Sequence, residues 1–320
     1  MSKSRWCIVV ADDHGADVPS GVGRDLAPVQ YSRLGPSATP WQKALNRAAA
    51  VAPISQVMVT AFAENRRHWE SALWFVRPER RFIAATRSAA AQSLAAAILD
   101  VAARSHSNVI TIIPARCHVE HEEILRRAIT NALRELPATS EGAVTLGMLD
   151  IEDSIDEDYL VVTRPPVGRG LLVDGYARRP VPWVARHLKH NGALVSSGII
   201  VGYAGALAAH ISRVWPGATR SLLGLAHAAE AVGEECLIQV PAARSPSAAP
   251  SHLLRWHPPA FPQRVFGVYK SGWSGLHTPR SVARTLGFLS SCMDEEPLEE
   301  VVPGFPPPRA AGVLMQQDQP

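Results

Sequence analysis

The chain has 320 residues, of which 47% are apolar and 19% charged, and 32 basic against 29 acidic side chains leave a formal net charge of +3. That is core material for one large domain or two modest ones, and it excludes a wholly disordered or collagen-like chain. Basic and acidic residues alternate without a basic block, so nucleic acid is not an expected partner.

In chain order, short β-branched runs alternate with longer Ala/Leu/Arg runs. Strands are predicted over 6–11, 57–61, 108–114, 143–149 and 159–163, and helices over 40–51, 88–105, 120–136, 182–191 and 204–215. Near-continuous apolar strands such as VITII suit burial on both faces. The alternation predicts a parallel sheet wrapped by helices. In the helix predicted over 120–136, Glu120, Glu122 and Glu123 open the first turn and Arg126, Arg127 and Arg134 follow, an order that suits the helix dipole. Ile124, Leu125, Ile129 and Leu133 would then face the sheet.

Cys7, Cys117, Cys236 and Cys292 are far apart and form no C-x-x-C pair, which argues against a disulfide framework and a structural zinc knot. The apolar run near the N-terminus is too short for a signal peptide. Residues 192–212 lack Lys, Arg, Asp and Glu, but they contain Ser196, Ser197, Tyr203, His210 and several glycines. A buried strand running into a helix explains them better than a membrane span. A cytoplasmic location without membrane insertion is the expectation. Residues 241–262 read as a Pro/Ser-rich surface loop, and 293–320 as a flexible or docking tail.

The order and spacing of these segments resemble the bacterial mannose-1-phosphate guanylyltransferases (GDP-mannose pyrophosphorylases), within the wider sugar-phosphate nucleotidyltransferase family. The resemblance spans about 6–289. The strand CIVVA precedes Asp12-Asp13-His14-Gly15-Ala16-Asp17, where the family has a Gly-rich loop, and Pro28-Val29-Gln30-Tyr31 stands for P-K-Q-F. Pro114-Ala115-Arg116-Cys117-His118 compares with P-A-D-H, and Asp156-Glu157-Asp158-Tyr159 with E-T-x-Y. Tyr176-Ala177-Arg178-Arg179-Pro180 compares with F-x-E-K-P, and Gly192 to Gly198 with the strand G-x-x-W-N-S-G. Gly272-Trp273-Ser274-Gly275-Leu276-His277-Thr278-Pro279 compares with G-W-S-D-x-G-T-P, the most specific single run.

The resemblance implies a Rossmann-like, doubly wound α/β domain with a mostly parallel sheet. It covers about 1–290, with a flexible tail over 291–320. The substrate positions that it retains are Gly15, Pro28, Gln30, Tyr159, Gly198 and Trp273. The family's reaction joins a sugar phosphate to the α-phosphate of a nucleoside triphosphate. It needs phosphate-cradling backbone, cationic side chains and two aspartates that hold Mg²⁺.

Those letters are altered here. Asp12 and Asp13 replace a glycine pair, Asp17 an arginine and Val29 the P-K-Q-F lysine. Arg116 and Gly275 replace the metal aspartates, Arg178 a glutamate and Ser196 the sugar-site asparagine. At ~4 Å and an effective dielectric of ~20, each misplaced unit charge is worth about 4 kcal/mol. The expectation is a degenerate homologue, a pseudoenzyme of polysaccharide biosynthesis that keeps nucleotide or nucleotide-sugar binding or regulates a protein partner or homo-oligomer. Mg²⁺ is expected only if activity is retained. The alternatives are an active nucleotidyltransferase with a non-standard metal and phosphate site, and an interaction module acting through the tail.

Other constellations compete. Cys117, His118, His121 and the carboxylates Glu120 and Glu122 have zinc-ligand chemistry, but they also read as an acidic helix start. Asp12, Asp13 and Asp17 with His14 could hold a cation, or form a solvated loop. Glu152, Asp153, Asp156, Glu157 and Asp158 read as an exposed acidic loop. No G-x-S-x-G elbow supports a serine hydrolase. His187, His190 and His210 fall on predicted helices, as surface or satisfied core residues.

Overall fold

β1 (Arg5–Val10) is buried at every position after Arg5. It begins a computed structural model that describes residues 3–11, 17–19, 26–34, 38–136, 142–149, 156–163, 171–239 and 262–287. An antiparallel pair, β2 (Asp17–Pro19) and β3 (Leu26–Pro28), follows, and then α1 (Pro40–Val51). Thr39 and Gln42 close a capping box at the start of α1, and Pro40 sits at its first position, where no N–H is needed. β4 (Val57–Phe62) is buried throughout. A short α2 (Arg66–Trp69) and β5 (Arg81–Ala84) lead to α3 (Ala90–Arg104). β6 (Val109–Pro114), β7 (Cys117–His118) and α4 (Glu122–Arg134) complete the first half.

The second half holds β8 (Ala143–Met148), β9 (Tyr159–Thr163), β10 (Leu171–Ala177), α5 (Pro182–His190) and β11 (Leu194–Tyr203). It continues through α6 (Ala204–Val214), α7 (Thr219–Val232), β12 (Cys236–Ile238), β13 (Gln263–Val268), β14 (Ser274–Gly275) and α8 (Pro279–Thr285).

Ten strands form one sheet in the order β12-β5-β4-β1-β6-β11-β8-β13-β10-β9. The registers make β10 and β11 run against the other eight, so the sheet is mixed but mostly parallel in direction. The near-continuous apolar runs of β1, β4 and β6 form its centre, as expected for strands covered on both faces. α3 packs on β1, β4 and β5 beside α6 and α7, while α1 and α4 pack together over β1, β6 and β8. Every residue of α3 from Ala90 to Ala102 is buried. Its alanines let the helix sit close to the sheet and to α7.

The predicted strands and helices are all present, with ends shifted by a residue or two. α4 begins at Glu122 rather than at 120 because a neighbouring segment claims the chain first: the His121 N–H donates to the Ser271 carbonyl at 3.0 Å. Glu120 therefore lies outside the first turn, and Glu122 and Glu123 occupy it. Leu125 and Ile129 are buried on α4, and Ile124 and Leu133 pack against the same core. The stretch tested for a membrane span is β11 running into α6. Among the described residues no helix is long and apolar enough to cross a membrane. The proline-rich segment 241–261 and the tail 291–320 lie outside the described residues.

Candidate functional site

β4 and β6 flank β1 on opposite sides, and all three run parallel. The chain thus leaves β1 toward one side and returns on the other, which makes a crevice at the carboxyl ends of β1 and β6. Gln30 is buried there, and its Nε2 donates to the carbonyl of Ala11 at 3.2 Å. The hydroxyl of Tyr31 reaches the same carbonyl at 3.4 Å. Gln30 Oε1 is also buried, without a hydrogen-bond partner among the described residues. Pro28 closes β3 immediately before this turn.

Beyond β6, the two-residue strands β7 and β14 pair antiparallel, with Gly275 opposite Cys117. The Leu276 N–H donates to the Arg116 carbonyl at 3.3 Å. The two positions that the resemblance assigns to metal aspartates are therefore neighbours across this ladder. Arg116 is buried, and Gly275 contributes no side chain. Val29, at the position of the family's lysine, is fully buried with Leu276, Val282 and Leu34 in a small apolar cluster. α8, capped by Thr278 and Ser281, carries Val282 into that cluster.

Glu157 is not part of an exposed acidic loop: its relative exposure is 1%. A Cβ built on Gly275 would stand 2.3 Å from Glu157 Oε1 and 2.5 Å from Oε2. The carboxylate of Glu157 thus fills the space beside position 275, and it does so because Gly275 lacks a side chain. The Nε2 of His277 stands 3.1 Å from Glu157 Oε2. They meet at ion-pair distance without hydrogen-bond alignment, and both carboxylate oxygens and His277 Nδ1 are buried without a hydrogen bond among the described residues. Nothing in the acidic run 152–158 marks Glu157 for burial; the signal is the glycine at 275.

Tyr159, Gly198 and Trp273, the other positions that the resemblance matches, lie on three separate segments. Tyr159 is fully buried in β9 and pairs with Val195 of β11. The Ser196 N–H donates to the Asp158 carbonyl at 2.8 Å. Pairing of β11 with β8 shifts register between Ser196 and Ile200, and Gly198 sits inside that irregularity at φ +72°. A Cβ on Gly198 would lie 3.3 Å from Pro114 Cγ, so glycine allows β11 to approach the end of β6. Trp273 is buried in the main core. Arg178 is exposed just past β10, and its backbone neighbour Ala177 pairs with Tyr159. Asp12, Asp13, His14 and Gly15 lie outside the described residues. Asp17 pairs with Pro28 in β2, and only its backbone is described.

The rival cysteine–histidine group is engaged elsewhere. Arg47 holds Glu122 through Nε and Nη2, both at 2.7 Å, and its Nη1 donates to Cys117 Sγ at 3.2 Å. Burial raises the Cys117 thiol above its ordinary 9.0 against the opposing pull of Arg47. Burial, reinforced by Lys43, lowers His118 below 6.5. Among the described residues no group of three or more His, Cys, Asp or Glu is placed to hold a metal ion. His210 is buried, and His187 and His190 lie on α5.

Neither a family model nor a curated protein sequence matches the chain. Solved structures do match it in shape. A mannose-1-phosphate geranyltransferase from Thermus thermophilus has a TM-score of 0.59 at 15% identity, over 84% of this chain and 75% of that one. A mannose-6-phosphate isomerase from Helicobacter pylori gives 0.59 at 12% identity, over 85% and 99%. An assigned glucose-1-phosphate thymidylyltransferase from Bacillus anthracis gives 0.53 at 11% identity, over 89% and 95%. The chain therefore has the fold of the sugar-phosphate nucleotidyltransferases.

Proposed function

We propose that this chain is a degenerate homologue of mannose-1-phosphate guanylyltransferase that has lost turnover and retains nucleotide-sugar binding or regulates a partner. The observation that carries the reading is Val29, sealed with Leu276 and Val282 where the resemblance expects a phosphate-binding lysine. An apolar cluster cannot replace a cation that neutralises a triphosphate. Arg116 at the first metal-aspartate position brings a charge of the opposite sign. Gln30 bonds the carbonyl just past β1, and Gly198 packs on Pro114 at the end of β6; the resemblance expects both positions to meet nucleotide or sugar.

The test is incubation of folded protein with GTP, mannose-1-phosphate and Mg²⁺, read by mass spectrometry beside an active guanylyltransferase. No GDP-mannose is expected, while calorimetry with GDP-mannose itself should give a binding isotherm. Product above a heat-killed control would overturn the loss of turnover.

One observation favours a second reading, an active enzyme with a non-standard site. Glu157 delivers a carboxylate to the space beside Gly275 from the bend that precedes β9. On that reading the Glu157→Gln variant would abolish GDP-mannose formation, whereas the first reading expects no product from either protein.

A further inference from the structure

α1 and α4 pack side by side on one face of the sheet, and an open groove of about 410 Å³ runs between them. Small-molecule sites usually enclose ~300–1,000 Å³. β1, β4, β6 and β8 share one direction, and each helix leads back from one of these strands toward the start of another. The two helices therefore run the same way, and their successive turns lie in step. Arg47 and Glu122 join them at one level through two contacts of 2.7 Å. The turns that follow supply an apolar wall, with Ala50 and Val51 from α1 and Ile129 from α4.

The charges on the lining do not cancel. Arg47 and Glu122 neutralise each other, and the third Arg47 nitrogen is held by Cys117, so this part of the wall is fixed before any ligand arrives. Lys43 stands one helical turn before Arg47, and Arg126 one turn after Glu122. Neither Lys43 nor Arg126 makes an ion pair among the described residues. Glu123 is the one acidic side chain on the lining left to oppose them, so the groove carries a net positive charge beside an apolar wall.

We propose that the groove between α1 and α4 binds a small organic anion. A carboxylate or phosphate head is drawn by Lys43 and Arg126, and an apolar body lies on Ala50, Val51 and Ile129. The apolar wall alone would accept a neutral ligand or a cationic one equally; the two uncompensated cations select the anion. This site stands apart from the crevice at the strand ends and does not rest on the proposed nucleotide-sugar binding.

The test uses anilinonaphthalene sulfonate, an anion with an apolar body whose fluorescence rises when it leaves water. The native full chain should bind the dye. Octanoate and octyl phosphate should displace it at least about fivefold more effectively than octanol or octylammonium, and the ranking of the first two identifies the preferred head. Lys43→Gln and Arg126→Gln should each weaken dye and octanoate by about threefold, and the double variant by about tenfold, since well-separated charges act additively. Ala50 is exposed on the wall, so Ala50→Trp fills the groove without entering the core and should weaken both by at least about tenfold. Circular dichroism should show parent-like folding for every variant. GDP-mannose should leave the dye in place. Absence of dye binding would overturn the proposal, as would binding indifferent to all three substitutions. Octanol competing as well as octanoate would overturn the selection for an anion and mark the groove as a seat for an apolar partner helix. Displacement by GDP-mannose would assign the dye to the strand-end crevice and overturn the separate site.

Discussion

Gly275 lies directly beneath the carboxylate of Glu157, with the site of its missing Cβ 2.3 Å from Oε1. Even alanine at 275 must push Glu157 out of a buried position and away from His277. Gly275→Ala should destabilise the protein by about 1–3 kcal/mol, as overpacking does. In a Glu157→Ser background, the same substitution should cost well under that, because the obstructing carboxylate is gone. A double-mutant cycle by urea denaturation measures the coupling. Additive costs would mean that the two residues do not compete for the same space.

A lysine at position 29, where the resemblance expects one, should not be tolerated. Val29 is fully buried among Leu276, Val282 and Leu34, so Val29→Lys places an ammonium in an apolar cluster. A buried unpaired charge costs about 3 kcal/mol or more. Val29→Ile, which keeps the chemistry, should cost less than about 1.5 kcal/mol. Chemical denaturation distinguishes them. A Val29→Lys variant as stable as the parent would show that this cluster opens to solvent, and would revive the case for a phosphate site.

The elements were legible because their signals are local. β6 is an unbroken apolar run, and α4 places Leu125 and Ile129 at helical spacing behind an acidic first turn. The short strands β5 and β12 were not anticipated, since four and three residues carry little periodicity. At the candidate site, the departures from the resembled motifs were readable one by one, but the surroundings of those residues were not. Glu157 sits in an acidic run that reads as solvated, and its burial depends on a glycine far along the chain. Val29 reads only as a lost lysine until Leu276 and Val282 are brought against it. Both facts belong to the tertiary fold, which brings α8 and β14 back across the ends of β1 and β6.

The described cysteines should be chemically silent in the native protein. Burial raises Cys7 and Cys117 above the ordinary thiol value and pushes Cys236 up to about 12, where Asp100 adds to the effect. The thiolate is the reactive form, so native Cys7, Cys117 and Cys236 should react with Ellman's reagent at pH 8 at least about a hundredfold more slowly than a free thiol. Unfolding in guanidinium should release all three. Mass spectrometry of the labelled peptides assigns each site, and rapid native labelling of Cys117 would contradict its burial against Arg47.

His118 gives the region around β7 a dependence on pH. Burial first, and Lys43 second, hold its folded value below the ordinary 6.5. The unfolded chain therefore binds the proton more readily than the folded one. Stability attached to neutral His118 is complete above about pH 6.5 and declines as pH falls from there through the folded value. Arg47, Glu120 and Glu122 act on the same ring, with Arg47 adding to the depression and the two carboxylates opposing it. His118→Gln keeps a polar side chain without the titration. Its urea midpoint should fall less than that of the parent between pH 7.5 and pH 5.5. Equal falls in the two proteins would assign the acid sensitivity to other groups, and a larger fall in the variant would mean that the histidine is charged in the folded chain.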